Sequence, residues 1–167
     1  MSFLPMEDCQ EHHLYAEPTK TKKIEEVYQG YTYFVENDLL IAKITPCFEN
    51  GKMSIAKNLM NGIGFGSTEF VVLRAKKGVL IEWVYYCLRN SNFLEKGKLA
   101  MTGTTGRQRL KQEFVENYLI TLPSLEIQEE FVKELEEEQQ IINYQKQSIN
   151  LLRKKEKRVL SGLWGND

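Results

Sequence analysis

The chain has 167 residues, enough for one domain with a real core plus one extended element. Its 42% hydrophobic and 27% charged residues are the balance of a globular protein, and no apolar run approaches the roughly 18 to 20 residues that cross a bilayer. The net charge of −1 argues neither for nor against a polyanionic partner, and three cysteines, Cys9, Cys47 and Cys87, make a poor disulfide framework. The opening MSFLPMEDCQEHH has neither the basic start nor the apolar core of a signal peptide, so the protein reads as cytoplasmic.

Along the chain, residues 1–23 show little periodicity, with Pro5 and Pro18 pointing to irregular structure and one short strand. Val27 to Val35 is aromatic and β-branched and reads as a strand or a loop packed on a sheet. Asn37-Asp38 is a turn, Leu39 to Ile44 a strand, and Asn50-Gly51 a type I′ hairpin turn returning along Met53 to Leu59. After a turn at Asn61-Gly62, Gly66 to Ala75 holds the next strand. Leu80 to Phe93 changes period: Ile81, Val84, Tyr85 and Leu88 recur at helical spacing. Glu95 to Gly106 is predicted as a loop and Tyr118 to Leu122 as a short strand.

From Ser124 onward one long helix is predicted, with Ser124 as N-cap and Glu126, Glu129 and Glu130 in the first turns, where the helix dipole favours acids. A heptad seam runs through Phe131, Leu135, Ile142, Ile149, Leu152, Val159 and Leu163, with polar breaks at Glu138, Gln145 and Glu156. At 1.5 Å per residue such a helix is about 58 Å long, longer than a small domain, which argues against its simply lying on its own globular part. Residues 126–140 hold seven acids and one lysine, and residues 146–158 hold six basic residues and one acid. That split complements a copy running the opposite way, so an antiparallel two-helix coil is expected. Lys154, Lys155, Lys157 and Arg158 read as a solvated basic face, with direct phosphate contact as the second reading.

No catalytic constellation stands out. His12 and His13 are the only histidines. With Cys9 and Cys47 they match no zinc spacing. The glycines of GIGFG from Gly62 to Gly66 lack the order of a dinucleotide fingerprint and lead into a strand rather than a helix. Binding fits better. Thr102, Thr104, Thr105, Arg107, Arg109 and Lys111 crowd one loop whose glycines, Gly103 and Gly106, let the backbone approach a surface. Arginine grips phosphate or reads guanine, and threonine donates to phosphate oxygens. Lys43, Thr45 and Lys52 flank Asn50-Gly51 and are suited to the same work.

The run AKITPCFENGK, then GIGFGSTEF, then MTGTTGRQRL, then LPSLEIQ opening a long helix resembles the specificity subunit of type I restriction–modification systems over nearly the whole chain. The order and spacing correspond to one target-recognition domain and its helix, and SFLPMED looks like a point part-way into that domain. Ser124 and Ile127 stand where the family commonly has Pro and Glu. The resemblance implies a non-catalytic, sequence-specific DNA-binding subunit that reads one half of a bipartite double-stranded target. It implies docking to modification subunits that hold S-adenosylmethionine and to a restriction subunit that uses ATP, with no cofactor or metal in this chain.

A usual specificity subunit has two recognition domains and two helices. One of each here implies a half subunit or a fragment, lacking the domain's first segment and pairing with a second copy or a second specificity half. The expected fold is α+β: an irregular, mostly antiparallel sheet with one or two helices over residues 1–123, then a coiled-coil helix over 124–164. The expected DNA contacts are Lys43, Thr45, Lys52, Ser67, Thr68, Thr102, Thr104, Arg107, Arg109 and Lys111. The rival reading is an assembly module or decoy that reads no DNA.

Overall fold

A computed structural model of the chain describes residues 1–163. Two compact units divide it, Met1–Leu125 and a second one from Glu126 on. The first unit is α+β. Its strands are β1 (Ser2–Leu4), β2 (Tyr15–Ala16), β3 (Lys20–Thr21), β4 (Thr32–Val35), β5 (Leu39–Ala42), β6 (Met53–Ala56), β7 (Ile63–Gly66) and β8 (Phe70–Leu73). They form two four-stranded sheets, ordered β3-β1-β7-β4 and β2-β6-β5-β8. The pairings β1–β7 and β2–β6 are parallel and the others antiparallel.

β5 explains how the layers stack. Its run LLIA is buried at every position, as a strand covered on both faces must be, with alternate side chains pointing opposite ways. Leu39 and Ile41 join Met53, Ile55 and Val71 in a core shared with the helices α2 (Ile81–Leu88), α3 (Ser91–Ala100) and α4 (Gln112–Glu116). Leu40 turns the other way and packs with Leu4, Phe34, Ala56 and Phe70 between the sheets. Beyond the first sheet, Phe3 and Phe65 meet Val27 of α1 (Ile24–Val27).

The glycines of GIGFG belong to this packing. Gly64 lies opposite Phe34 in the β4–β7 ladder, and a Cβ at Gly64 would collide with the Phe34 ring. Only glycine admits the aromatic ring there.

Several expectations are corrected by tertiary packing. The N-terminal stretch, expected to hold one strand, supplies three, because β1 finds both β3 and β7 as neighbours. Val27 to Val35 divides into the end of α1 and β4. Gly66 closes β7 instead of opening the next strand. The Asn50-Gly51 hairpin is absent: only Gly51 takes positive φ, at 68°, and β5 and β6 are joined by a ten-residue excursion, 43–52. The single helix expected over Leu80 to Phe93 is two, because the Asn90 side chain accepts the Phe93 N–H at 2.9 Å and caps a fresh helix. That helix, α3, runs through much of the predicted loop at Glu95 to Gly106. Tyr118 to Leu122 forms no strand. Tyr118 and Ile120 pack on the core, and the Thr121 carbonyl accepts the Trp83 indole N–H at 3.0 Å.

Asp38, at the β4–β5 turn, is fully buried yet satisfied. It accepts the Val35 N–H at 2.8 Å and both Nε and Nη2 of Arg74 at 2.7 Å, which holds the guanidinium above its ordinary pKa.

The second unit is one helix: α5 spans Leu125–Leu163, 39 residues, and begins at the residue after Ser124. Within it Lys133 and Glu137 pair at i,i+4, and Gln139 donates to Asn143 at 3.1 Å. The seam side chains Phe131, Ile142, Ile149, Leu152 and Val159 are 44–63% exposed, and Leu135 is half-buried. The side chain of Leu163 and position 164 lie outside the described residues.

Candidate nucleic-acid interface

Three loops meet where β5 ends. Ala42 is the last residue of β5 and faces Phe70 of β8. One residue further, the Lys43 N–H donates to the Glu69 carbonyl at 2.9 Å, and the Lys43 carbonyl accepts the Leu110 N–H at 2.8 Å. The Thr45 N–H then donates to the Gln108 carbonyl at 3.0 Å. Segment 108–110 thus continues the ladder that β8 leaves. On its other side Arg109 and Thr102 exchange N–H···O bonds of 2.8 and 3.0 Å. Loops 43–52, 67–69 and 102–111 are bonded through their backbones into one platform.

The anchor of the first loop is Phe48. It is fully buried, meets the Phe93 ring edge-on at 5.7 Å, and sits so close to α3 that a Cβ at Gly97 would strike it. The Thr45–Pro46 peptide is cis. Backbone bonds Phe48 N–H to Ile44 at 3.0 Å, Gly51 N–H to Phe48 at 2.8 Å and Lys52 N–H to Cys47 at 2.9 Å close the excursion. The tip of the third loop is a turn in which the Arg107 N–H donates to the Thr104 carbonyl at 2.9 Å, with φ of 126° at Gly103 and 78° at Gly106. Both values lie where glycine is favoured.

The ten residues singled out from sequence all lie on these loops, but their side chains do different things. The Thr45 hydroxyl donates to Glu49 at 3.0 Å, Lys52 Nζ donates to the Met6 carbonyl at 3.3 Å, and Ser67 Oγ accepts the Glu69 N–H at 3.2 Å. Arg109 is paired with Glu69: Nη2 lies 2.6 Å from Oε1 and Nε lies 3.0 Å from Oε2. Those hydrogen bonds hold the Glu69 carboxyl below the usual carboxylate range, with Lys43 adding a smaller pull, and hold Arg109 above its ordinary value. Thr68, Thr102, Thr104, Arg107 and Lys111 are exposed and Lys43 is half-buried. Among the described residues no side chain engages Arg107 or Lys111.

Glu69 is the residue that sequence reasoning missed. Nothing local marks it, because its partner is 40 positions away.

Elsewhere the chemistry is quiet. Cys9 is buried, its thiol pushed up to about 11 chiefly by that burial, and it contacts Ser54 Oγ at 3.7 Å. His12 Nδ1 lies 2.9 Å from Arg89. Among the described residues no group of three or more His, Cys, Asp or Glu side chains is placed to hold a metal ion, and no helix is long and apolar enough to cross a membrane.

Fold and site together define a binding module: a two-sheet domain that presents a hydroxyl- and cation-rich platform of loops, carried with one long helix. Residues 5–156 match the family described as type I restriction modification DNA specificity domain, and the chain belongs to that family. It is 38% identical over 133 residues to the specificity subunit of the type I restriction enzyme EcoAI of Escherichia coli, and 39% identical over 124 residues to that of EcoEI from the same organism. The alignments cover 79% and 74% of this chain but 23% and 21% of those subunits. The chain therefore spans less than a quarter of the relatives it matches.

Among solved structures, the HsdS subunit of Thermoanaerobacter tengcongensis superposes with a TM-score of 0.73 at 17% identity, over 95% of this chain and 40% of that one. A chain from a structure describing the complex assembly and conformational transition of the type I R-M system gives 0.64 at 20% identity, over 95% and 35%. These two share the fold.

Proposed function

We propose that the chain is a half-target reader: its loop platform contacts double-stranded DNA at one half of a bipartite site, and α5 pairs antiparallel with a second copy or a second specificity half to space two such readers. The observation that carries this is the convergence of loops 43–52, 67–69 and 102–111 through backbone bonds. Cations and hydroxyls distant in sequence thereby share one surface, the chemistry that phosphates and base edges recognise. The proposed contact set is Lys43, Thr45, Lys52, Ser67, Thr68, Thr102, Thr104, Arg107, Arg109 and Lys111, working directly or by shaping the platform.

In this reading the chain carries no catalysis and no cofactor. It acts in the cytoplasm, docking modification subunits that hold S-adenosylmethionine and a restriction subunit that uses ATP. The exposed seam of α5 supports the pairing. An apolar stripe whose side chains from Ile142 to Val159 are 44–63% exposed on a 39-residue helix leaves burial energy unclaimed, up to roughly 1.5–3 kcal/mol for each large aliphatic side chain.

The test is to assemble the chain with its modification subunits, map which adenines become methylated, and titrate salt against binding of a duplex carrying the mapped site. A sequence preference with a steep linear loss of log affinity against log salt is expected. Assembly without sequence preference or salt dependence would instead establish a module that joins subunits and reads nothing.

A further inference from the structure

Arg107 and Arg109 stand two residues apart on one exposed loop, and sequence alone gives them the same role. Their surroundings differ. Arg109 is locked at both levels. Its backbone N–H and carbonyl both pair with Thr102, and its neighbours Gln108 and Leu110 are bonded to Thr45 and Lys43. Its guanidinium meets Glu69 through Nε and Nη2 at 2.6–3.1 Å. Glu69 is itself tied down, its carbonyl accepting from Lys43 and its N–H donating to Ser67.

For Arg109 to turn toward a phosphate it would have to leave Glu69. The Glu69 side chain is only 19% exposed, so that move would strand a poorly solvated carboxylate beside an incoming anion. Arg107 pays no such penalty. It lies just outside the ladder, at the end of the Thr104–Arg107 turn, and no side chain among the described residues holds it.

We infer that the two arginines divide the work: Arg109 is a positioning residue, clamped by Glu69 to join the third loop to the second, and Arg107 is the guanidinium of this loop that touches DNA. This rests on the half-target reading above. The clamp fixes the register of segment 108–110 against 43–45, and that register sets where the turn carries Arg107. A bidentate pair suits this task because its fork geometry resists rotation where a single-point lysine contact would not.

The experiment uses the chain assembled with its modification subunits and a duplex carrying the methylation-mapped site, with anisotropy read across a salt titration and thermal melts to check folding. Arg107→Gln is expected to weaken binding at least about tenfold and to reduce the salt slope by about one. The exchange of Glu69→Arg with Arg109→Glu rebuilds the clamp with its charges reversed. It is expected to keep affinity within about threefold, with the slope unchanged, since no phosphate contact is lost.

Glu69→Gln alone leaves Arg109 in place but loosens its clamp. A positioning role predicts weaker binding at an unchanged slope, whereas an Arg109 freed to reach phosphate would bind more tightly and with a steeper slope. The inference is overturned if the exchange weakens binding as much as Arg107→Gln does, if Glu69→Gln tightens it, or if Arg107→Gln leaves it unaltered. Should the exchange variant fail to melt cooperatively, the Glu69→Gln comparison decides. Wild-type assemblies without salt-dependent, sequence-preferring binding would instead remove the half-target reading itself.

Discussion

Between the sheets of the first unit, Leu4, Phe34, Leu40 and Ala56 are sealed from water, while on α5 Ile142, Ile149, Leu152 and Val159 stand 44–63% exposed. The two regions use the same residue types and differ in what covers them. In the globular unit β5 and β6 are buried at every position, because layers of the same chain lie against both of their faces. On the helix the seam repeats every seven residues along about 58 Å, a pattern suited to another rod. Helices in proteins draw most of their stability from packing of an apolar face rather than from propensity. The first unit thus carries its own core, and the second leaves much of its apolar seam facing solvent.

Three measurements break or sharpen that contrast. Phe34→Ala strikes the sealed region. It empties the space against Gly64 between the sheets and should cost about 3–5 kcal/mol, read as a lower denaturant midpoint at unchanged slope. A loss below about 1 kcal/mol, where surface substitutions fall, would mean that the two sheets do not share a tight core.

Ile142→Asp with Ile149→Asp strikes the open region. Self-association measured by sedimentation should fall by about a hundredfold or more, from the roughly 1.5–3 kcal/mol that burial of each side chain contributes. The melting of the globular unit should stay where it was. A wild-type chain that remains monomeric at high concentration would refute pairing with a second copy.

The smallest effect comes from Cys9, whose thiol is raised from the ordinary 9.0 to about 11 mainly by burial. Between those values the unfolded chain gives up a proton that the folded chain keeps, so stability falls as pH rises, by about 1.4 kcal/mol for each pH step of one. Below pH 9 the effect vanishes. Cys9→Ala should flatten that alkaline slope in thermal melts. An unchanged slope would show that the thiol is reached by water.

Much of the molecule was legible in the sequence because the signals are local. The heptad spacing of α5 lies within one element, and the structure has that helix as one continuous run. The apolar runs of β5, β6 and β8 marked the strands that build the buried sheet. The glycine- and threonine-rich stretch from Thr102 to Lys111 announced an exposed loop with cations on it, and the turn at Thr104 to Arg107 is there.

What sequence could not supply depended on distant partners. The glycines of GIGFG, which in sequence only led toward a strand, lie in β7, where Gly64 makes room for the Phe34 ring. The helix that replaces much of the predicted loop at Glu95 to Gly106 is seated by Phe93 at its start, which meets Phe48 edge-on, a residue 45 positions earlier in the chain. Lys52, read as a DNA contact, reaches the Met6 carbonyl.

By itself the sequence determined the periodic elements, the split charge of the long helix, and which loops bear cations and hydroxyls. Each of those is a property of residues within a few positions of one another, where propensity and spacing act directly. The tertiary structure decided which strands become neighbours, which glycines make room for an aromatic ring, and that Arg109 answers to Glu69 while Arg107 stays open. Those outcomes depend on contacts between residues tens of positions apart, which exist only once the chain has closed around its core.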